Sequence, residues 1–135
     1  MKWAIARGDL VLWKGFQFED GGASDKLLII LGAKPGQNLI ALLTTSKARG
    51  RKPTPGCIGF ADYFFISAGG RDGFDLDTWV ETYRPVEMER KEADRGIADG
   101  TVTLVRTLHS ELVNQIRNCL KLSRDITPQQ GALLE

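Results

Sequence analysis

The chain has 135 residues, 42% hydrophobic and 26% charged, which suits one globular domain and excludes a disordered chain, a coiled coil or a collagen-like repeat. Lysine and arginine number 18 against 17 acids, so any attraction to nucleic acid must come from a local patch rather than a global field. Two cysteines are too few for a disulfide framework, and with a single histidine no metal site and no cofactor is expected.

No apolar run is long enough to span a bilayer. The opening Met1-Lys2-Trp3 starts no signal peptide, because Arg7 and Asp9 interrupt it. The expectation is a protein of the cytoplasm, in reducing surroundings and off the membrane.

Fifteen glycines separate short β-rich runs over the first hundred residues, the pattern of a small barrel or sandwich. Gly8 to Lys14 is the first run, and Phe16-Gln17-Phe18 stops at the turn Glu19-Asp20-Gly21-Gly22. Lys26 to Leu31 reads as a buried strand. Asn38 to Thr45 is its expected antiparallel partner, since six residues between them suit a hairpin. The loop Ser46 to Gly56 carries Lys47, Arg49, Arg51 and Lys52 without an acid, and Pro53 and Pro55 keep it out of a sheet. Tyr63 to Ile66 and Thr78 to Tyr83 are further strands, with a solvated acidic turn from Gly69 to Asp77 between them.

The last third changes period. Leu108, Leu112, Ile116 and Leu120 recur every four residues, which predicts a helix from about Ser110 to Leu122 packed on the β-domain. Thr127 and Pro128 can cap and start one more turn, which Gly131 stops, leaving residues 128–135 as a loose tail. The expected architecture is one mainly β, β-rich α+β domain over residues 1–135. Its barrel or sandwich covers about 7–106 and its helix about 109–123.

Chemistry is sparse. His109 is the one imidazole, and it reads as a partly exposed residue at the helix start; Cys119, on the helix's apolar flank, reads as core. No phosphate-binding glycine loop is present. What remains is Thr44-Thr45-Ser46 ending a strand and running into Lys47, Arg49, Arg51 and Lys52. Hydroxyl donors beside cations are what a phosphodiester requires. The bland alternative is a strand end followed by a solvated loop. Trp3 and Trp13 read as core or interface anchors.

The order of these residues resembles the PemK/MazF family of toxin endoribonucleases. Arg7-Gly8-Asp9-Leu10-Val11-Leu12 is similar to that family's opening, and Phe16 to Gly21 to its first loop. Lys26 to Leu31 falls where the family has Arg-Pro and an apolar strand. Leu39 to Lys47 is similar to the strand ending in Pro-x-Thr-Ser, Tyr83 to Met88 to a later strand exit, and residues 108–126 to the terminal helix. The likeness lies in collinearity over nearly the whole chain.

The resemblance implies an SH3-like small β-barrel with a C-terminal helix, a homodimer that cleaves single-stranded RNA without metal and is silenced by a cognate antitoxin protein. Carried over by position, Thr45 is the phosphate-contacting threonine and Lys26 stands for the functional arginine. Glu81 falls near a proton-transferring aspartate. Thr44, Ser46, Lys47, Arg49, Arg51, Lys52, Trp79 and Arg7 complete the expected substrate contacts.

Two departures weaken the match. Lysine at position 26 lacks the bidentate fork of arginine. Trp79 stands where some members carry a second catalytic arginine; it could stack an unpaired base, worth about 1–3 kcal/mol, but cannot neutralise a phosphorane. The other reading is therefore a catalytically inactive SH3-like module that binds nucleic acid or an antitoxin peptide through the same groove.

Overall fold

A computed structural model describes residues 4–17, 21–58, 62–123 and 126–135. Trp3, Phe18-Glu19-Asp20 of the first loop, and Arg124 lie outside them. The two apolar runs that carry the expected hairpin form β2 (Ala23–Gly32) and β3 (Leu39–Thr45), preceded by β1 (Asp9–Gln17). The pairing is antiparallel, with Leu28 against Leu43 and Ile29 against Leu42.

Shorter strands follow: β4 (Gly56–Ile58), β5 (Tyr63–Ile66), β6 (Thr78–Val80) and β7 (Val86–Met88). The chain then adds helix α1 (Arg90–Asp99), strand β8 (Val102–Thr107), and helices α2 (Ser110–Lys121) and α3 (Pro128–Leu133). The protein is mainly β with helices added.

The strands run in the order β4-β5-β6-β3-β2-β1-β8, all antiparallel, and β4 and β8 end the path without meeting. Strand β3 is the pivot. One of its edges is wholly β2's, whereas the other is shared by β7, at Leu39 to Ala41, and β6, at Thr44 and Thr45. The crossover 81–85 passes between those two partners, and Glu81 N donates to Leu43 O there (2.9 Å).

Alternation along β1, β2 and β3 sends side chains to two cores. Leu10, Ile29, Leu31, Ile40 and Leu42 pack against Leu112, Val113, Ile116 and Leu120 of α2. Val11, Leu28, Ile30, Leu39, Ala41 and Leu43 form the other face, covered by Met88, Ala93 of α1 and Val102. The helix expected from the four-residue stripe is present within a residue of its expected ends.

Residues 128–135 are not a loose tail. Thr127 and Gln130 form a reciprocal capping box, with Pro128 in the first turn. Gly131 lies within the helix rather than stopping it, and Leu134 is fully buried in the α2 core. Gly32 permits the docking, since a Cβ there would stand 2.6 Å from Leu133 O. Gly32→Ala should therefore cost about 1–3 kcal/mol through overpacking, seen as a lower urea midpoint at unchanged slope.

The acidic turn is also more than solvated loop. Asp72 accepts from His109 backbone N (2.7 Å) and lies 2.9 Å from its Nδ1, so the turn holds the start of α2. Cys57 and Cys119, expected to be unpaired, form a disulfide that joins β4 to α2, with Cα atoms 5.6 Å apart. Among the described residues no helix is long and apolar enough to cross a membrane.

Candidate functional site

A cleft of about 1220 Å³ opens where β1 and β3 end, β2 begins and the loop after β3 starts. Phe16 and Gln17 line it from β1, and Lys26 from β2. Thr44 and Thr45 come from β3, and Ser46, Lys47, Arg49 and Arg51 from the loop. Glu81 and Arg84 of the crossover close one side, and Asp75 and Arg106 stand on another.

Register explains why Lys26 and Thr45 line the same cleft. Continuing the β2–β3 ladder beyond Leu28–Leu43 sets Leu27 against Thr44 and Lys26 against Thr45. The bond from Thr44 Oγ1 to Leu27 O (2.8 Å) agrees with that alignment. Thr44 therefore spends its proton tying two strands together. It builds the wall of the cleft rather than facing a ligand.

Thr45 is disposed differently. Its Oγ1 accepts from Lys47 N (3.2 Å), which leaves the hydroxyl proton for donation. The half-buried side chain sits at the exit of the strand, where exposed Ser46 follows. Beyond them, Arg51 N donates to Ala48 O (2.8 Å), closing a turn whose central residues Arg49 and Gly50 have φ of 48° and 83°. Two left-handed residues make this a type I′ turn. Glycine takes that conformation freely, but arginine does so at some cost, and it places Arg49 at the tip.

Glu81 is the buried carboxylate of the cleft. Arg84 donates to it from Nε (3.1 Å) and Nη2 (3.0 Å), and Tyr83 Oη lies 3.3 Å away. Arg51 Nη2 stands at 3.7 Å. Arg84 is thus a site cation that sequence reading missed. Its signal was weak, a lone arginine before a proline, and only the crossover beside β3 aims it at Glu81. Arg106, on β8, was missed as well. Its Nη1 donates to Asp72 O (3.0 Å), which ties one wall of the cleft to the turn that holds α2.

Six cations line the cleft against four carboxylates among the described residues. The described lining of the cleft thus carries a small excess of positive charge, with Arg84 and Arg51 turned to Glu81. Its lining also includes Leu27, Leu43, Phe74 and Val86, so the walls offer apolar surface as well as charge.

Three expected contacts lie elsewhere. Trp79 is 4% exposed, tilted against Phe65 with ring centroids 5.0 Å apart, and its Nε1 donates to Lys52 O (3.1 Å). It offers no face to a base; among the described residues the aromatics that line the cleft are Phe16 and Phe74. Lys52 meets Tyr63 Oη through its backbone N (2.9 Å) and lies outside the cleft lining.

Arg7 is spent on the C-terminus. It donates to Leu31 O (2.8 Å), Leu134 O (2.6 Å) and Glu135 O (3.0 Å). Burial first, and Arg117 second, lower its pKa from the usual arginine range, against the opposing pull of Glu135. No group of three or more histidine, cysteine or acidic side chains among the described residues is placed to hold a metal ion. His109 is held by Asp72 and is not among the residues that line the cleft.

No family model matches the chain, and no curated protein or solved structure matches it. The residues and their geometry therefore carry the functional argument alone.

Proposed function

We propose that the chain is a metal-independent endoribonuclease of the PemK/MazF type, acting on single-stranded RNA in this cleft. The observation that supports it is the meeting of Lys26, Thr45, Ser46 and the cations of the 47–51 loop along one opening. Short antiparallel strands around the shared β3 support an SH3-like reading of the sheet. A homodimer and a cognate antitoxin peptide belong to the same proposal.

In this reading the substrate's own 2′-hydroxyl is the nucleophile. Its oxygen bonds to phosphorus as its proton leaves for a protein base, and the 5′-oxygen departs and takes up a proton. The products are a 2′,3′-cyclic phosphate and a 5′-hydroxyl. Thr45 and Ser46 donate to the non-bridging oxygens, and Lys26 opposes the charge that builds on them. Lys47, Arg49 and Arg51 draw in the backbone, so affinity falls with salt.

Glu81 takes the proton, while Arg84 and Arg51 orient its carboxylate. Glu81→Gln is expected to reduce cleavage by at least about 10²-fold. RNA binding should hold or tighten, because the substitution frees two guanidiniums from a carboxylate. Binding and single-turnover cleavage measured on the same labelled RNA check this. Loss of both in proportion would make Glu81 a structural support only.

One observation favours the second reading, a binding module without catalysis. The Glu81 carboxylate is held by Arg84, Tyr83 and Arg51, an arrangement that also suits a purely structural ion cluster. The deciding experiment incubates the protein with long single-stranded RNA in EDTA. Discrete fragments ending in cyclic phosphate support the nuclease. Intact RNA with salt-sensitive binding supports the module.

A further inference from the structure

The basic loop after β3 has little secondary structure of its own to hold it. Its far end enters β4, three residues long, at one end of the sheet and, among the described residues, paired with β5 alone. The disulfide anchors that end. It joins Cys57, exposed on β4, to Cys119, which is 2% exposed in the core against α2.

The same anchor reaches the cleft by a second route. Cys119 Sγ lies 3.9 Å from Tyr63 O and 3.9 Å from Thr82 Oγ1. Tyr63 holds the loop through the bond from Lys52 N to its hydroxyl. Thr82 is fully buried and directly follows Glu81, which faces Arg51 of the loop. One cystine thus braces both the loop and the crossover whose groups line the cleft.

We infer that the Cys57–Cys119 disulfide is a redox-controlled clamp that fixes the basic loop in its binding position, so that reduction loosens the loop and weakens RNA binding. This deepens the proposed function and its RNA-binding half rests on that reading. The clamp itself does not. A disulfide in reducing surroundings is usually transient or sensory, whereas in an oxidising compartment it is held; an exposed cysteine on an end strand suits the former.

The reductant is an external dithiol. Its thiolate attacks Cys57 Sγ and the sulfur–sulfur bond breaks. Cys119 leaves as a thiolate and takes a proton. The second thiol of the reductant then displaces Cys57 and closes a disulfide on the reductant. Two electrons and two protons pass to the protein.

Limited trypsin digestion tests the clamp without RNA. The bonds after Lys47, Arg49 and Arg51 report the loop, and those after Lys91 and Arg95 in α1 serve as internal controls. Dithiothreitol, or Cys57→Ser in its place, should speed cutting in the loop by about tenfold, the signature of easier local opening. The α1 bonds should be cut at unchanged rate. A labelled single-stranded RNA should bind several-fold more weakly to the reduced protein.

Equal loop protection in both redox states would overturn the clamp, as would two free thiols that glutathione disulfide cannot join. Acceleration at loop and α1 bonds together would also overturn it, since that marks global unfolding. Selective loop cutting with no RNA binding in either state would support the clamp while removing the RNA reading. In that way the two proposals fail separately.

Discussion

Thr45→Ala should lower RNA cleavage by about 10²–10³-fold, the usual effect of removing one donor aimed at developing charge. The expectation follows from position. Thr45 ends β3 with its hydroxyl oxygen accepting from Lys47 N, and the proton remains for a phosphate oxygen. Thr44, one residue earlier, has its proton committed to Leu27 O. Thr44→Ala should therefore act mainly through stability.

Lys26→Ala should follow Thr45→Ala in kind, reducing cleavage more than binding, because its charge opposes a phosphorane rather than the ground-state diester. Single-turnover cleavage and equilibrium binding of one labelled RNA separate the two effects. Equal losses in both would make Lys26 a positioning cation. Unchanged cleavage in Thr45→Ala would remove the nuclease proposal.

Leu134→Ala should cost about 2–5 kcal/mol, as a buried leucine in a shared core does. The residue is next to last in the sequence and would pass as dispensable by position alone. Yet it is fully buried beside Ile116 and Leu120 of α2, and its carbonyl accepts from Arg7. Urea unfolding checks the prediction. A loss below about 0.5 kcal/mol, the range of a surface change, would mean that the tail contributes nothing to the core.

Some elements were legible because a period is written in their residues. The stripe from Leu108 to Leu120 gave helix α2 nearly to the residue. The unbroken apolar runs at 27–31 and 39–43 gave β2 and β3, each strand feeding both cores, so neither run needed to alternate. Thr127 and Pro128 announced the start of α3, because capping is a local hydrogen-bond arrangement.

Other elements had no such mark. Helix α1 buries only Ala93 and Gly96, so it shows no apolar stripe. Strand β8 buries only Val102, and β4 is three residues long. The disulfide could not be read from spacing, since two distant cysteines become partners only when β4 packs on α2. Lys52, Trp79 and Arg7 were drawn into the expected site by sequence neighbourhood or by resemblance. In the structure Arg7 and Trp79 satisfy backbone carbonyls elsewhere, and Lys52 meets Tyr63 and Trp79 through its backbone.

Local patterning was enough to establish a β-rich domain with a packed C-terminal helix, and to single out hydroxyls running into a basic loop. These are short-range properties, set by alternation, helical period and turn chemistry within a few residues. The making of a cleft was a tertiary event. The pairing of β2 with β3 brought Lys26 and Thr45 to one cleft, and Arg84 and Glu81 arrived where β3 changes partners. Those meetings depend on pairing between segments tens of residues apart, for which no local period in the chain leaves a trace.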